Sequence, residues 1–141
     1  MRGGDRGRQV IEERYLLDAS ALLAVLQEER AGKDVEPLLS DSAIHSVNLI
    51  EVVTKLVQNG REEAVPLLSG LDLKLISTLD VVEAEACGRL HAATRHLGLS
   101  LGDCVCLSTG AVRGLTVVTK EKIWVQAASA SGVKVLVVPT S

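Results

Sequence analysis

The sequence predicts an α/β fold, a three-layer α/β/α domain around a central parallel sheet of about five strands. Short β-branched or leucine-rich runs, suited to strands buried on both faces, alternate along the chain with longer stretches of helical pattern. No linker, internal repeat or low-complexity segment interrupts that alternation after residue 12, so 141 residues are expected to share one core. Right-handed crossovers between parallel strands then put helices on both faces of the sheet.

The first strand is expected over residues 14–17 and runs straight into Asp18, where a helix over 19–27 begins at once. A second helical stretch covers 35–39. A weak strand over 43–45 leads into a helix over 47–58, which the Asn59-Gly60 pair stops. A short helix over 61–68 closes at Ser69-Gly70 and is followed by a strand over 71–76. The longest helix is expected over 81–96, ending near Gly98, and the next over 101–112, ending at Gly114. A strand over 115–118, a helix over 122–130 and a strand over 133–138 complete the pattern.

Composition narrows the function classes. Hydrophobic residues make up 47% and charged residues 23%, scattered along the chain, which is a globular rather than a disordered balance. No apolar run approaches the ~20 residues of a membrane helix, so no membrane role is expected. The opening MRGGDRGRQV is basic and lacks the apolar stretch of a secretory signal. Residues 1–12 are therefore expected to form a flexible basic tail, with the folded domain over 13–141. Cys87, Cys104 and Cys106 form neither an even framework nor a C-x-x-C pair, which fits a reducing cytoplasm and small core residues. His45, His91 and His96 offer no spaced pair to join them, which argues against structural zinc. The net charge of −3 argues against coating nucleic acid by bulk positive charge, but not against a nuclease that gathers carboxylates locally.

Parallel strands all finish at one edge of the sheet, where the crossover helices begin and where α/β proteins bind ligands. Asp18 follows the first strand, Glu51 lies in the second turn of the helix after the second, and Glu121 follows the fourth. Alternation alone brings these three toward one edge. It does not place Asp103, because two helices separate the third and fourth strands. Each residue also has a plain structural role to fill. Asp18 can cap a helix, Ser100-x-x-Asp103 has the form of a capping box, and Glu121 suits the positive end of a helix. Glu51 lies opposite the stripe of Leu49, Val53, Leu56 and Val57, where a solvated glutamate belongs. Gathered together, however, carboxylates repel one another and are driven to protonate unless a cation joins them. Mg2+ or Mn2+ suits such an all-oxygen site, where it neutralises phosphate and activates water.

Four segments in order, YLLDASALLAVL, HSVNLIEVVTKL, LSLGDCVCLSTGAVRG and LTVVTKEKIW, resemble the PIN domain family, and within it the VapC-like toxins of type II toxin–antitoxin systems. The resemblance spans about residues 14–138. It implies a PIN-like, Rossmann-like α/β/α fold and a metal-dependent ribonuclease that hydrolyses RNA phosphodiester bonds. The family's acidic quartet maps onto Asp18, Glu51, Asp103 and Glu121, with Ser20 and Thr119 at the small hydroxyl positions that support it. The last acidic position departs from the usual T-x-D: here Thr119-Lys120-Glu121 carries an extra methylene. Lys120, Lys122 and Arg113 then become candidates for substrate phosphate contacts. The resemblance also implies a homodimer and a VapB-like antitoxin whose tail occupies the cleft, docking on apolar surface such as that of 35–39 and 47–57. An RNA-processing PIN nuclease outside a toxin system, or a PIN-like domain that binds RNA or protein without cutting, are the alternatives.

Two competing assignments fit less well. An aspartyl-phosphate enzyme would usually carry a second Asp two residues after the first, where this chain has Ser20; and no G-x-G-x-x-G follows the first strand, as a dinucleotide site would require. Trp124 suits packing better than stacking on a base.

Overall fold

Period-two alternation on the central strands divides the core into two halves. In the computed structural model, which describes residues 13–140, Leu16 lies beside Ala43 and Val117, and Leu17 beside Ile44 and Val118. The first set packs with Cys87, Leu90, Cys104, Leu107 and Trp124, and the second with Leu22, Val35, Val52 and Leu56. Successive strand residues point to opposite faces, so this pairing makes three layers. Full burial of a leucine such as Leu16, Leu17 or Leu22 contributes roughly 1.5–3 kcal/mol. The tail expected over residues 1–12 lies outside the described residues.

The strands are β1 (Tyr15–Leu17), β2 (Ser42–His45), β3 (Lys74–Ile76), β4 (Thr116–Thr119) and β5 (Val135–Val137). They form one parallel sheet in the order β3-β2-β1-β4-β5. Helices α1 (Ala19–Leu26), α2 (Gly32–Val35) and α3 (Ser46–Gln58) accompany the first half of the chain. Helices α4 (Val81–Ala93), α5 (Leu101–Arg113) and α6 (Trp124–Ser131) belong to the second. The chain builds outward from β1 in one direction, then crosses back to build outward in the other. The strand order thus reverses between β1 and β4, the position at which open α/β sheets form their ligand crevice.

Helix boundaries differ from the sequence pattern where proline or a backbone-seeking hydroxyl intervenes. The helix expected over 35–39 is instead the end of α2 followed by a 3-10 turn, Glu36–Asp41, opened by Pro37. The segment expected as an α-helix over 61–68 is the 3-10 helix Glu62–Gly70, with Pro66 inside it. Proline has no N–H to continue an α-helical ladder, and the tighter helix tolerates this in short pieces. The helix expected to reach residue 96 stops at Ala93, where the Thr94 hydroxyl donates back to the Leu90 carbonyl at 2.7 Å and a 3-10 turn, Arg95–Leu97, follows. Trp124 is 1% exposed, so it packs in the core as its position suggests. All three cysteines are buried and unpaired.

At the end of β2, His45 caps α3 through its side chain: Nδ1 accepts from the Val47 N–H at 3.1 Å. Because Nδ1 accepts, Nε2 carries the proton and donates to the Thr78 carbonyl at 3.1 Å. Burial lowers the pKa of this ring and keeps it neutral.

The start of α4 and the end of α5 are joined by a buried ion pair. Asp80 and Glu83 form a reciprocal capping box on α4, and Glu83, wholly buried, accepts from Arg113 Nε at 2.8 Å. Arg113 Nη2 also donates to the Thr78 hydroxyl at 2.8 Å. Arg113, a candidate for substrate phosphate contact, is engaged elsewhere in this structure. Its side chain is 5% exposed and committed to Glu83. Replacing Arg113 alone with Met strands a buried carboxylate and is expected to lower stability by about 3–5 kcal/mol. Glu83→Leu combined with Arg113→Met should recover most of that loss, as read from urea unfolding midpoints of the single and double variants.

Candidate active site

Because the chain leaves β1 toward one face and β4 toward the other, a crevice opens between their carboxyl ends. Asp18 sits at its floor. Its N–H extends the ladder to the Val118 carbonyl at 3.0 Å, and its carboxylate caps α1 by accepting from the Ala21 N–H at 2.8 Å. The residue therefore does serve as a cap. Only 3% exposed, it accepts in addition from the Ser20 hydroxyl at 2.7 Å and the Thr119 hydroxyl at 2.5 Å.

Both hydroxyls also accept from the chain that follows β4. Ser20 Oγ takes the Lys120 N–H at 3.0 Å, and Thr119 Oγ1 takes the Glu121 N–H at 3.0 Å. Asp18 is thus the hub through which the turn at residues 119–121 is fastened to the start of α1. Burial pushes the Asp18 carboxyl from an ordinary 3.8 up to about 6, against the hydrogen bonds from Thr119, Ser20 and Ala21, with the nearby charge of Asp103 adding to the rise.

Glu51 projects from α3 and is half-buried. Asn48, one turn earlier on the same helix, donates to its Oε1 at 2.9 Å and to the Gly102 carbonyl of α5 at 3.1 Å. The Glu51 carboxylate lies directly over Gly102, where a Cβ would stand 2.5 Å from Oε2. Only glycine allows that approach. Burial raises the Glu51 pKa, the Asn48 hydrogen bond opposes this, and the Asp103 charge raises it further.

Asp103, which strand alternation could not place, enters the same crevice from the first turn of α5. It also forms the capping box its sequence suggested, with Ser100 Oγ accepting from its N–H at 3.1 Å and its Oδ2 accepting from the Ser100 N–H at 2.9 Å. Glu121 completes the lining from the exposed rim. The cleft bounded by these four carboxylates has a volume of about 350 Å³ and also takes in Glu29, Lys55 and Lys120. Lys122 is exposed beyond it.

Lys120 forms an ion pair with Glu29 across the cleft mouth. Glu29 reaches it from a tight turn after α1, in which Glu28 adopts a left-handed φ of 55° and the Glu29 N–H returns to the Ala24 carbonyl at 2.8 Å. Glycine usually occupies that backbone position. Neither Glu29 nor Asn48 stood out in the sequence. An asparagine three residues before a glutamate on one helix is the signal that would have found Asn48. The glutamate pair Glu28-Glu29 where glycine normally ends a helix marks the other.

The donors are all oxygen, and Asp103 acts on both Asp18 and Glu51 to disfavour their charged forms. A divalent cation would relieve that crowding. Among the described residues no three acidic, His or Cys side chains converge into a ready-made cage. A hard ion such as Mg2+ takes oxygen ligands and retains several waters, through which some of these carboxylates would bind it. The residues fit the group.

The displaced pKa of Asp18 has a consequence for stability. A carboxyl that titrates higher in the folded than in the unfolded chain costs stability once ionised, so this cost grows as pH rises from about 4 through about 6. Asp18→Asn is expected to stabilise the metal-free protein by about 1–3 kcal/mol at pH 8, the gain vanishing near pH 4. Thermal melts of both proteins across that pH range read the difference.

The fold is shared with solved structures. The VapBC2 complex of Rickettsia felis, bound to a DNA fragment from its promoter, contains a chain superposing with a TM-score of 0.69 at 15% identity, over 89% of this chain and 98% of that one. The DNA-bound VapBC complex of Salmonella typhimurium gives 0.67 at 18%, over 88% and 97%. VapBC-5 of Mycobacterium tuberculosis gives 0.61 at 19%, over 89% and 98%. No curated protein matches the sequence. The PIN domain family model matches residues 15–129, a span that holds the whole four-carboxylate cleft and most of the chain; the chain belongs to the PIN domain family.

Proposed function

We propose that the protein is a Mg2+- or Mn2+-dependent endoribonuclease and the toxin of a VapBC-type toxin–antitoxin pair, acting in the cytoplasm. The observation that carries this reading is that Asp18, Glu51, Asp103 and Glu121 line one cleft at the β1/β4 switch point. Asp18, Glu51 and Asp103 would hold the cation, with Glu121 binding it directly or through water from the rim. Bound there, a divalent cation supplies neutralisation of the scissile phosphate and a lowered pKa for water.

The protein's own groups do the positioning. The Ser20 and Thr119 hydroxyls fix the orientation of Asp18 and hold residues 119–121 against it, which sets where Lys120 and Glu121 stand. Lys120 and the exposed Lys122 are candidates for contact with the RNA backbone at this rim, where Lys55 also lines the cleft. In the free protein Glu29 neutralises Lys120 and so weakens its pull on a phosphate.

The partners follow from the same reading: a VapB-like antitoxin and a second copy of this chain. The expected apolar docking surface is smaller than its sequence suggested, because Val35, Val52 and Leu56 face the core while Ile50 and Val57 remain exposed on α3. Complexes of VapBC type recur among the structures sharing this fold, which supports an antitoxin partner.

Purified protein is expected to cleave RNA with Mg2+ or Mn2+ and not with chelator, and to need more metal for the same rate as pH falls through about 6, where protons compete with the cation for Asp18. Asp103→Asn should reduce the cleavage rate by two or more orders of magnitude. In cells, the unaltered protein should arrest growth, the Asp103→Asn protein should not, and co-expression of the product of an adjacent small reading frame should restore growth. Cleavage that persists in chelator or in the variant would sink the mechanism; cleavage without growth arrest would favour an RNA-processing enzyme.

The Lys120–Glu29 pair gives a separate expectation. In the Asp103→Asn background, where RNA stays intact, Glu29→Gln should tighten RNA binding several-fold and steepen its dependence on salt, by roughly 0.7 in the log–log slope for one added phosphate contact. Fluorescence anisotropy over a salt series measures both.

A further inference from the structure

We propose that Asn48 is a positioning residue that holds the Glu51 carboxylate in the geometry required for cation binding; the inference rests on the metal-dependent reading above.

Position 48 belongs to the inward stripe of α3. The buried residues of that helix are Asn48, Val52 and Leu56, at successive intervals of four, and Asn48 is 1% exposed. An apolar side chain would satisfy the packing there more cheaply, because burying an amide is unfavourable unless its polar atoms are paired. Asn48 is only half paired. Its two N–H groups are used, but Oδ1 has no hydrogen-bond partner among the described residues, which is unfavourable for a buried amide. A buried polar group left this way calls for an explanation beyond stability.

The explanation lies in what the two N–H groups grasp. One holds Glu51 Oε1 at 2.9 Å within α3, and the other holds the Gly102 carbonyl at 3.1 Å on α5. Asn48 thereby fixes the carboxylate and the neighbouring helix relative to each other with a single rigid amide. Gly102 cooperates by leaving room, since the Glu51 carboxylate occupies the place its Cβ would take. The next residue along α5 is Asp103, whose charge acts unfavourably on Glu51. Without a clamp, a glutamate with three rotatable bonds would swing toward solvent and away from that charge. Asn48 holds the Glu51 carboxylate against the first turn of α5, in the cleft that Asp103 also lines.

The test is Mn2+ binding to the metal-free folded protein, followed by calorimetry, with no RNA present. Asn48→Leu removes both N–H groups and the unpaired oxygen while keeping an apolar core position, so it should fold with unchanged or higher stability. It is expected to bind Mn2+ about 10–100-fold more weakly, the range usual for loss of a group that orients a metal ligand. In a Glu51→Ala background the same substitution should change Mn2+ affinity less than twofold, because the residue on which Asn48 acts is gone. Gly102→Ala, which displaces the Glu51 carboxylate by another route, should weaken Mn2+ binding similarly. Wild-type Mn2+ affinity in folded Asn48→Leu protein, or an equal loss with and without Glu51, overturns the proposal. Failure of the unaltered protein to bind Mn2+ at all would instead remove the metal-dependent reading on which it rests.

Discussion

Repulsion among carboxylates brought to one edge of a parallel sheet is the constraint on which the rest of this structure turns. Nothing about the fold forces Asp18 to be ionised, and burial pushes it toward the neutral form. The surrounding arrangement limits that push. Two hydroxyls and a backbone N–H aim at Asp18, Asn48 aims at Glu51, and the Ser100 N–H aims at Asp103. Asp18, Glu51 and Asp103 are each held by donors from their own or a neighbouring element, while Glu121 stands at the exposed rim. The scaffold that supplies those donors is assembled by ordinary packing: leucines and valines on both sheet faces, glycine where α5 meets Glu51, and a buried ion pair between α4 and α5.

Much of this was legible in the sequence because it depends on short-range pattern. The strand ending in Asp18 and the alternation that carries Glu51 and Glu121 to one edge follow from periodicity and from the rule that parallel strands share a direction. Asp103 was different. Its position depends on how two consecutive helices cross the sheet, and no local spacing encodes that path, so only the family resemblance pointed to it. The fate of Arg113 was illegible for a related reason. Its partner Glu83 is thirty residues away, and a basic residue at a helix end reads equally well as solvated, as phosphate-binding or as half of a buried pair. The prolines at 37 and 66 were visible, but their effect on helix type is tertiary as much as local.

Capping a helix and lining the cleft are compatible. Asp18 caps α1 and Asp103 takes part in a capping box, yet both line the cleft. A carboxylate has several lone-pair directions, and a backbone N–H occupies one of them. Capping orients the group and leaves the rest of its acceptor capacity directed outward. Helix N-termini at the edge of a parallel sheet thus supply acidic residues that are already fixed in place, which makes the edge a favourable location for cation chemistry.

The Ser20 and Thr119 hydroxyls carry one further consequence. Each has a single hydrogen, and each directs it inward to Asp18 while its oxygen is taken by a backbone N–H from the turn after β4. The polarity of this small circuit runs one way. Backbone hydrogens feed hydroxyl oxygens, and hydroxyl hydrogens feed the Asp18 carboxylate. Loss of either hydroxyl would therefore free a backbone N–H of the turn after β4 and a carboxylate lone pair together, so the orientation of Asp18 and the course of that turn are coupled.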